Sequence, residues 1–335
     1  MVENRRWMYA ASSYSGKERE DLLFFSADER GMMREEGRFR IGNNPSFLCK
    51  NGDTLYVGLE KPDEAVILSY HVAVKDRVRI EQTGRLETDG TGLCHIWAGR
   101  EAVYGSCYGS GHVFAADRNL EHVLWKISPD AEPGMAPHAH CSMETDDGNM
   151  LVTADLGMNV VYGIPLAGGY AIGEKTVLAG FADMGPRQVL YDKYQRRFLV
   201  AGEQGNRIEG FEWESEPTSP MAPWRLMWSI PATKKTGINY PGGVCATENG
   251  LIFWGNRGAD TIAAAVTGDT AQFIGEWPCG GSWPRSVLVS GHCVFAACQK
   301  SGTIESFVWD GSILSKADRL NLEGAACVAG WDFPE

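Results

Sequence analysis

Short apolar runs alternate with glycine-bearing turns along the chain, and the runs return at a nearly fixed interval. Six have one shape, a β-prone stretch that ends in a small or polar residue before a turn: Leu55–Glu60, Val103–Cys107, Leu151–Asp155, Phe198–Gly202, Ile252–Asn256 and Val294–Cys298. Leu59, Cys107, Asp155, Gly202, Asn256 and Cys298 close these runs at spacings of 48, 48, 47, 54 and 42 residues. A weaker copy, Trp7–Ser12, ends 47 residues before the first. Seven units of about 48 residues consume the chain, which marks a repeat architecture. Asn51-Gly52, Asp146–Asn149, Asn249-Gly250 and Ser290-Gly291 supply turns between strands. No unit has a sustained i, i+3, i+4 apolar stripe, so helices are not expected.

Each unit has room for four short strands of roughly five to seven residues. The pattern predicts an all-β chain, a single seven-bladed β-propeller of four-stranded antiparallel blades over residues 1–335. A two-sheet sandwich would not repeat so regularly. The WD40 subtype is disfavoured because Trp309-Asp310 is an isolated dipeptide. The last unit is short of strands, and Ala325–Trp331 reads as one. It is expected to pair with the N-terminal blade and close the ring, which removes exposed edges.

Composition narrows the partners. A net charge of −12 argues against nucleic acid or an anionic membrane, while leaving room for a local cluster of arginines. No apolar stretch reaches the roughly 18 residues of a membrane span. Met1–Tyr9 carries Arg5 and Arg6 with no apolar run behind them, so a signal peptide is not expected. Nine cysteines, an odd number without Cys-x-x-Cys pairs, suggest buried thiols in a reducing, cytoplasmic compartment.

Propeller geometry says where polar residues meet. If the innermost strand of a blade starts on one face, the second strand ends on that same face. Strand-one starts give Asn44–Ser46, Cys94-His95, Pro137–His140, Pro186-Arg187, Pro241–Gly243 and Pro284-Arg285. Strand-two ends give Glu60, Tyr108, Asp155, Glu203, Asn256 and Arg257. Histidines, arginines and carboxylates are thus expected at one channel mouth, a constellation suited to a small oxyanionic molecule.

These segments, in this order, resemble the seven-bladed lactonase family that contains the propeller-type 6-phosphogluconolactonases and the fungal carboxymuconate cyclases. The matching stretches are Asn44-Pro-Ser46, Gly92-Leu-Cys-His95, Cys107-Tyr-Gly-Ser-Gly111, Pro137-His-Ala-His140, Ala154-Asp-Leu-Gly157, Gly185-Pro-Arg-Gln188, Gly202-Glu203, Gly255-Asn-Arg-Gly258 and Trp283-Pro-Arg285. They span about residue 40 to residue 310. The chain departs from the family at Leu59, Gly202, Cys107 and Cys298, where asparagine is usual. It also departs at Gln188, which replaces a histidine, and at Gly242-Gly243, near which a glutamate is usual.

The resemblance implies a lactonase acting on a sugar-acid lactone such as 6-phosphogluconolactone. It implies catalytic roles for Glu203, for His138 or His140, and for Arg257, and substrate binding by Arg187 and Arg285; the strand positions add His95, Asp155 and Asn256 as substrate-binding candidates. Lactone hydrolysis needs a base to activate water, donors for the tetrahedral oxyanion and a clamp for the acid. Histidine and a carboxylate supply the base; arginine supplies the fork. Plainer roles stand beside these: blade-to-blade ion pairs for the arginines and Glu203, a structural histidine at 95 or within 138/140, and a turn residue at Asp155. No spacing enforces a third ligand beside His138 and His140, so neither a metal nor another cofactor is expected. Two other readings remain, a cycloisomerase that closes an unsaturated dicarboxylate into a lactone, and a catalytically silent propeller that binds a ligand or protein on the same face.

Overall fold

The computed structural model describes residues 6–17, 21–128, 134–214 and 223–331, so Met1–Arg5 lie outside the described residues. All described elements are strands, grouped in seven antiparallel sheets. Among the described residues no helix is long and apolar enough to cross a membrane.

Blade 1 joins Ala325–Trp331 to Arg6–Ser13, Leu22–Asp28 and Met33–Phe39. Blades 2 to 7 follow in chain order, with inner strands Pro45–Asn51, Leu93–Ala98, Ala139–Glu144, Pro186–Asp192, Tyr240–Ala246 and Pro284–Ser290. Their second strands are Thr54–Glu60, Ala102–Cys107, Met150–Asp155, Arg197–Gly202, Leu251–Arg257 and Cys293–Cys298. The repeat read from the sequence is therefore the blade. Leu59, Cys107, Asp155, Gly202, Asn256 and Cys298 each pair with the first or second residue of their inner strand. The C-terminal strand closes the ring as expected, in register from Met8 opposite Trp331 to Ser12 opposite Cys327.

Two details differ from the expectation. Outer strands are longer, up to the 11 residues of Val78–Thr88. Blade 4 carries an extra two-residue strand, Tyr170–Ala171, after a Gly168-Gly169 turn in which both glycines have positive φ. That turn folds the chain back where a side chain would be strained.

The core lies between blades. Tyr9 and Phe25 of blade 1 pack on Phe295 of blade 7, and Trp331 is fully buried against Phe24. Around the channel, side chains of the inner strands tie blades 2 to 7 each to the next. The Cys94 thiol reaches the His140 carbonyl at 3.4 Å, and Cys141 that of Val189 at 3.6 Å. Cys245 reaches the Val287 carbonyl, and Cys49 accepts from the Ala98 amide. Gln188 bonds both backbone groups of Val244. All nine cysteines are unpaired thiols, and these four act as small hydrophobes with weak polar contacts.

Candidate functional site

Every inner strand has a bulge near its start. The pairing jumps past Ser46, Cys94, His140, Arg187, Gly242-Gly243, Arg285 and, in blade 1, Ala326. A bulge leaves one residue without an opposite partner and re-aims its side chain. Proline at positions 45, 186 and 284 opens three of these strands, where its missing N–H costs the ladder nothing, and Pro241 is the second residue of a fourth. Ser46, Cys94, His140, Arg187, Gly243, Arg285 and Ala326 all line one cavity of about 320 Å³ in the central channel. A larger groove of about 910 Å³, with Tyr194, Glu248 and Trp309, lies on the opposite face and holds no comparable cluster.

Above the bulge layer, the residue that follows each paired position forms a second ring: Tyr14, Glu60, Tyr108, Leu156, Glu203, Arg257 and Gln299. The two layers interlock. Arg187 Nη1 donates to His140 Nε2 at 2.6 Å and to Glu203 Oε2 at 2.7 Å. Arg257 Nη2 donates to the same Glu203 oxygen at 2.7 Å, and also to the Pro241 carbonyl. Across the ring, Arg285 donates to Glu60 at 2.7 Å while its guanidinium lies 4.8 Å from the Tyr14 ring centre. Three guanidiniums face two carboxylates, so the mouth carries a net positive charge inside an acidic protein. Among the described residues, Arg187 Nη2, Arg257 Nη1 and Arg285 Nη1 have no protein partner.

The charges set the protonation states. Burial alone would raise the Glu203 carboxyl, but Arg187 and Arg257 overcome it and hold it well below the usual carboxylate range. Burial, then Arg187, pushes His140 well below an ordinary imidazole, so at neutral pH it is an uncharged acceptor for Arg187. His95 lies under the mouth, its ring 4.2 Å from Phe47 and its Nε2 3.4 Å from the Cys141 sulfur. Burial and then Arg187 bring it down to about 3. An unfolded-state histidine protonates near pH 6.5. Below that pH only the unfolded chain takes up this proton, so the stability His95 preserves is complete above 6.5 and drains away toward pH 3. Between pH 7 and 4.5 the wild type should lose about 2–3 kcal/mol more stability than His95→Gln, read as the difference in urea-unfolding free energies. Equal losses in the two proteins would contradict the buried, neutral His95.

The remaining predicted residues divide. His138, Tyr108 and His140 meet at the mouth: the His138 ring stacks on Tyr108 at 4.3 Å, and His140 meets the same ring edge-on at 5.8 Å. His138 and His140, two apart in sequence, do not share one side of a strand as simple alternation would place them. The strand begins at Ala139 and His140 is the bulged residue, so simple alternation does not apply. The structure places Asp155 and Asn256 away from the open mouth where the strand ends had put them. Both occupy the paired position, one residue before the ring at the mouth, and both are fully buried. Asp155 accepts from the backbone amides of His138, Gly157 and Met158, the turn role also read from the sequence. Asn256 binds the Ala232 carbonyl and the Asn239 side chain. A one-residue shift along a strand turns a side chain to the other face. Glu60 and Tyr108 stand at the mouth, as their places at strand-two ends predicted. Tyr14 was missed, because the weak N-terminal copy was ended at Ser12, two residues before it.

Nor do the histidines converge on a metal. His138 Nδ1 is 2.7 Å from the Tyr108 carbonyl, His140 Nε2 is taken by Arg187 and Asp155 by amides. Among the described residues no group of three or more His, Cys, Asp or Glu side chains is placed to hold an ion.

A propeller with an arginine-lined channel mouth is a scaffold for binding a small anion, and comparison with known proteins gives the family. The chain belongs to the family described as Lactonase, 7-bladed beta-propeller, whose model matches residues 8–329. A 6-phosphogluconolactonase of Bacillus subtilis (strain 168) is 25% identical over 266 residues, 73% of this chain and 74% of the relative. Among solved structures, the Pseudomonas aeruginosa periplasmic gluconolactonase PpgL superposes with a TM-score of 0.87 at 17% identity, covering 98% of this chain and 100% of its own. A Lactobacillus plantarum protein superposes with a TM-score of 0.84 at 17% identity, with the same coverage.

Proposed function

We propose that the chain is a lactone hydrolase whose substrate is an anionic sugar-acid lactone, of the kind for which its 6-phosphogluconolactonase relative is named. The observation that carries this reading is the surplus guanidinium charge at the channel mouth, where Arg187 and Arg285 line the 320 Å³ cavity, Arg257 shares Glu203 with Arg187, and three Nη groups have no partner among the described residues. Such a site holds a small anion and meets the charge that grows on a carbonyl oxygen under attack.

The base we assign is His138. Its Nδ1–H is fixed on the Tyr108 carbonyl, which leaves Nε2 as the lone-pair nitrogen. Glu203, one of the bases suggested by the resemblance, is stripped of basicity by its two arginines, and His140 Nε2 is already engaged. His138 takes a proton from water as the water oxygen bonds to the lactone carbonyl carbon. The carbonyl oxygen, now anionic, is met by Arg187 and Arg257. Collapse breaks the bond to the ring oxygen, which receives the proton and leaves a hydroxy acid for the arginines to release.

The relatives are named for lactone hydrolysis, which favours it over the ring-closing cycloisomerisation considered from the sequence. Nine unpaired thiols support a reducing, cytosolic compartment. Purified protein offered a panel of sugar-acid lactones after exhaustive chelation should release acid at rates well above buffer. No turnover with any lactone would leave the silent, ligand-binding propeller. Activity lost to EDTA and restored by one divalent ion would overturn the metal-free mechanism.

A further inference from the structure

Trp283 stands at the rim of the channel in a conformation its side chain disfavours, with φ of 65°. A bulky residue in the left-handed region is an outlier that the surroundings must hold, and such strain gathers at functional sites. Here its N–H donates to Asp260 Oδ1 at 2.7 Å, and its carbonyl accepts from the Gln299 amide at 3.0 Å. The result is an indole between two cations. The Arg257 guanidinium lies 5.7 Å from the ring centre and the Lys300 ammonium 3.2 Å from it.

Lys300 differs from the arginines beside it. Glu203 and Glu60 partly neutralise the arginines, whereas among the described residues no carboxylate lies within ion-pair distance of Lys300. An aromatic face orients an ammonium without cancelling its charge. An exposed lysine held in that way is a point charge, suited to a phosphate monoester, which does not demand the bidentate geometry of a guanidinium.

We infer that Lys300 and Trp283 form a second anion subsite at the rim, which takes the terminal phosphate of a phosphorylated sugar lactone while the arginine layer holds the reacting end. This subsite rests on the lactonase reading. Trp283 is the positioning residue and Lys300 the contact.

The test compares one sugar lactone with and without a terminal phosphate. In Lys300→Met the preference for the phosphorylated lactone, as a ratio of kcat/KM values, should fall about 10-fold, the lower end of a charged hydrogen bond's worth, with the change in KM. Lys300→Arg should recover most of it. Trp283→Leu should lower the preference and Trp283→Phe largely keep it, since phenylalanine preserves an aromatic face. An unchanged preference in Lys300→Met overturns the subsite while leaving lactone hydrolysis intact. If the wild type turns over neither lactone, the lactonase reading fails first. The subsite is then decided by calorimetric titration with the phosphorylated and unphosphorylated hydroxy acids: the same 10-fold loss supports it, and no loss overturns it.

Discussion

His138→Gln should lower kcat for lactone hydrolysis by about 10²- to 10⁴-fold with little change in KM, the loss expected when a positioned base is removed. Stability should barely move, because His138 precedes its strand, is only half-buried and packs on one face of Tyr108. Glu203→Gln is the informative partner. If Glu203 serves to hold Arg187 and Arg257, the amide keeps part of the geometry while leaving two buried guanidiniums short of their counter-ion. That variant should show a raised KM and lowered stability, since removing one partner of a buried ion pair leaves uncompensated charge. The arms separate in steady-state kinetics and urea unfolding. Should Glu203→Gln abolish turnover at unchanged KM while His138→Gln stays active, the base is Glu203 and His138 only packs on Tyr108.

The fold was legible because a propeller repeats. Each blade reuses one pattern of apolar runs and turns, so a weak signal in Val103–Cys107 is reinforced by its copies at Leu151–Asp155 and Ile252–Asn256. The pairing of Ala325–Trp331 with the N-terminal blade was legible too, although the unit short of a strand is the first and not the last, which has four of its own. The site was legible only to within one residue. Alternation along a strand says that neighbours face opposite ways, but not which of Asp155 and Leu156, or Asn256 and Arg257, faces the channel. The ladder decides it in blades 4 and 6, where Asp155 and Asn256 pair near the start of the inner strand and are fully buried. The bulges were not legible at all as bulges. A shift in register arises between strands distant in sequence, and Pro186-Arg187 reads the same whether or not Arg187 has an opposite partner. Nor could the sequence show that Glu203 lies between two arginines from adjacent blades, the contact on which the proposal of a brace rather than a base rests.

Arg257→Ala carries the largest expected effect on binding and the sharpest test of whether the arginines are ligands or ties. The plain alternative is that they join blades: Arg257 of blade 6 does bridge to Glu203 of blade 5, and it also holds the Tyr240 and Pro241 carbonyls of its own blade. A tie and a ligand donor predict different things for different substitutions. Alanine removes both functions and should reduce kcat/KM by about 100-fold or more, as loss of one donor to a developing oxyanion does. It should also destabilise the protein, because Glu203 loses one of its two cations. Lysine keeps the charge near Glu203 but cannot reproduce a fork that holds the carboxylate and presents Nη1 to a ligand. Arg257→Lys should therefore regain most of the stability and little of the activity. Arg285→Ala, whose ion pair with Glu60 lies across the mouth, should cost affinity with a smaller effect on turnover. If Arg257→Lys restores stability and activity together, or Arg257→Ala and Arg285→Ala lower thermal stability with kinetic constants unchanged, the arginines are structural ties and the catalytic site must be sought elsewhere on the propeller.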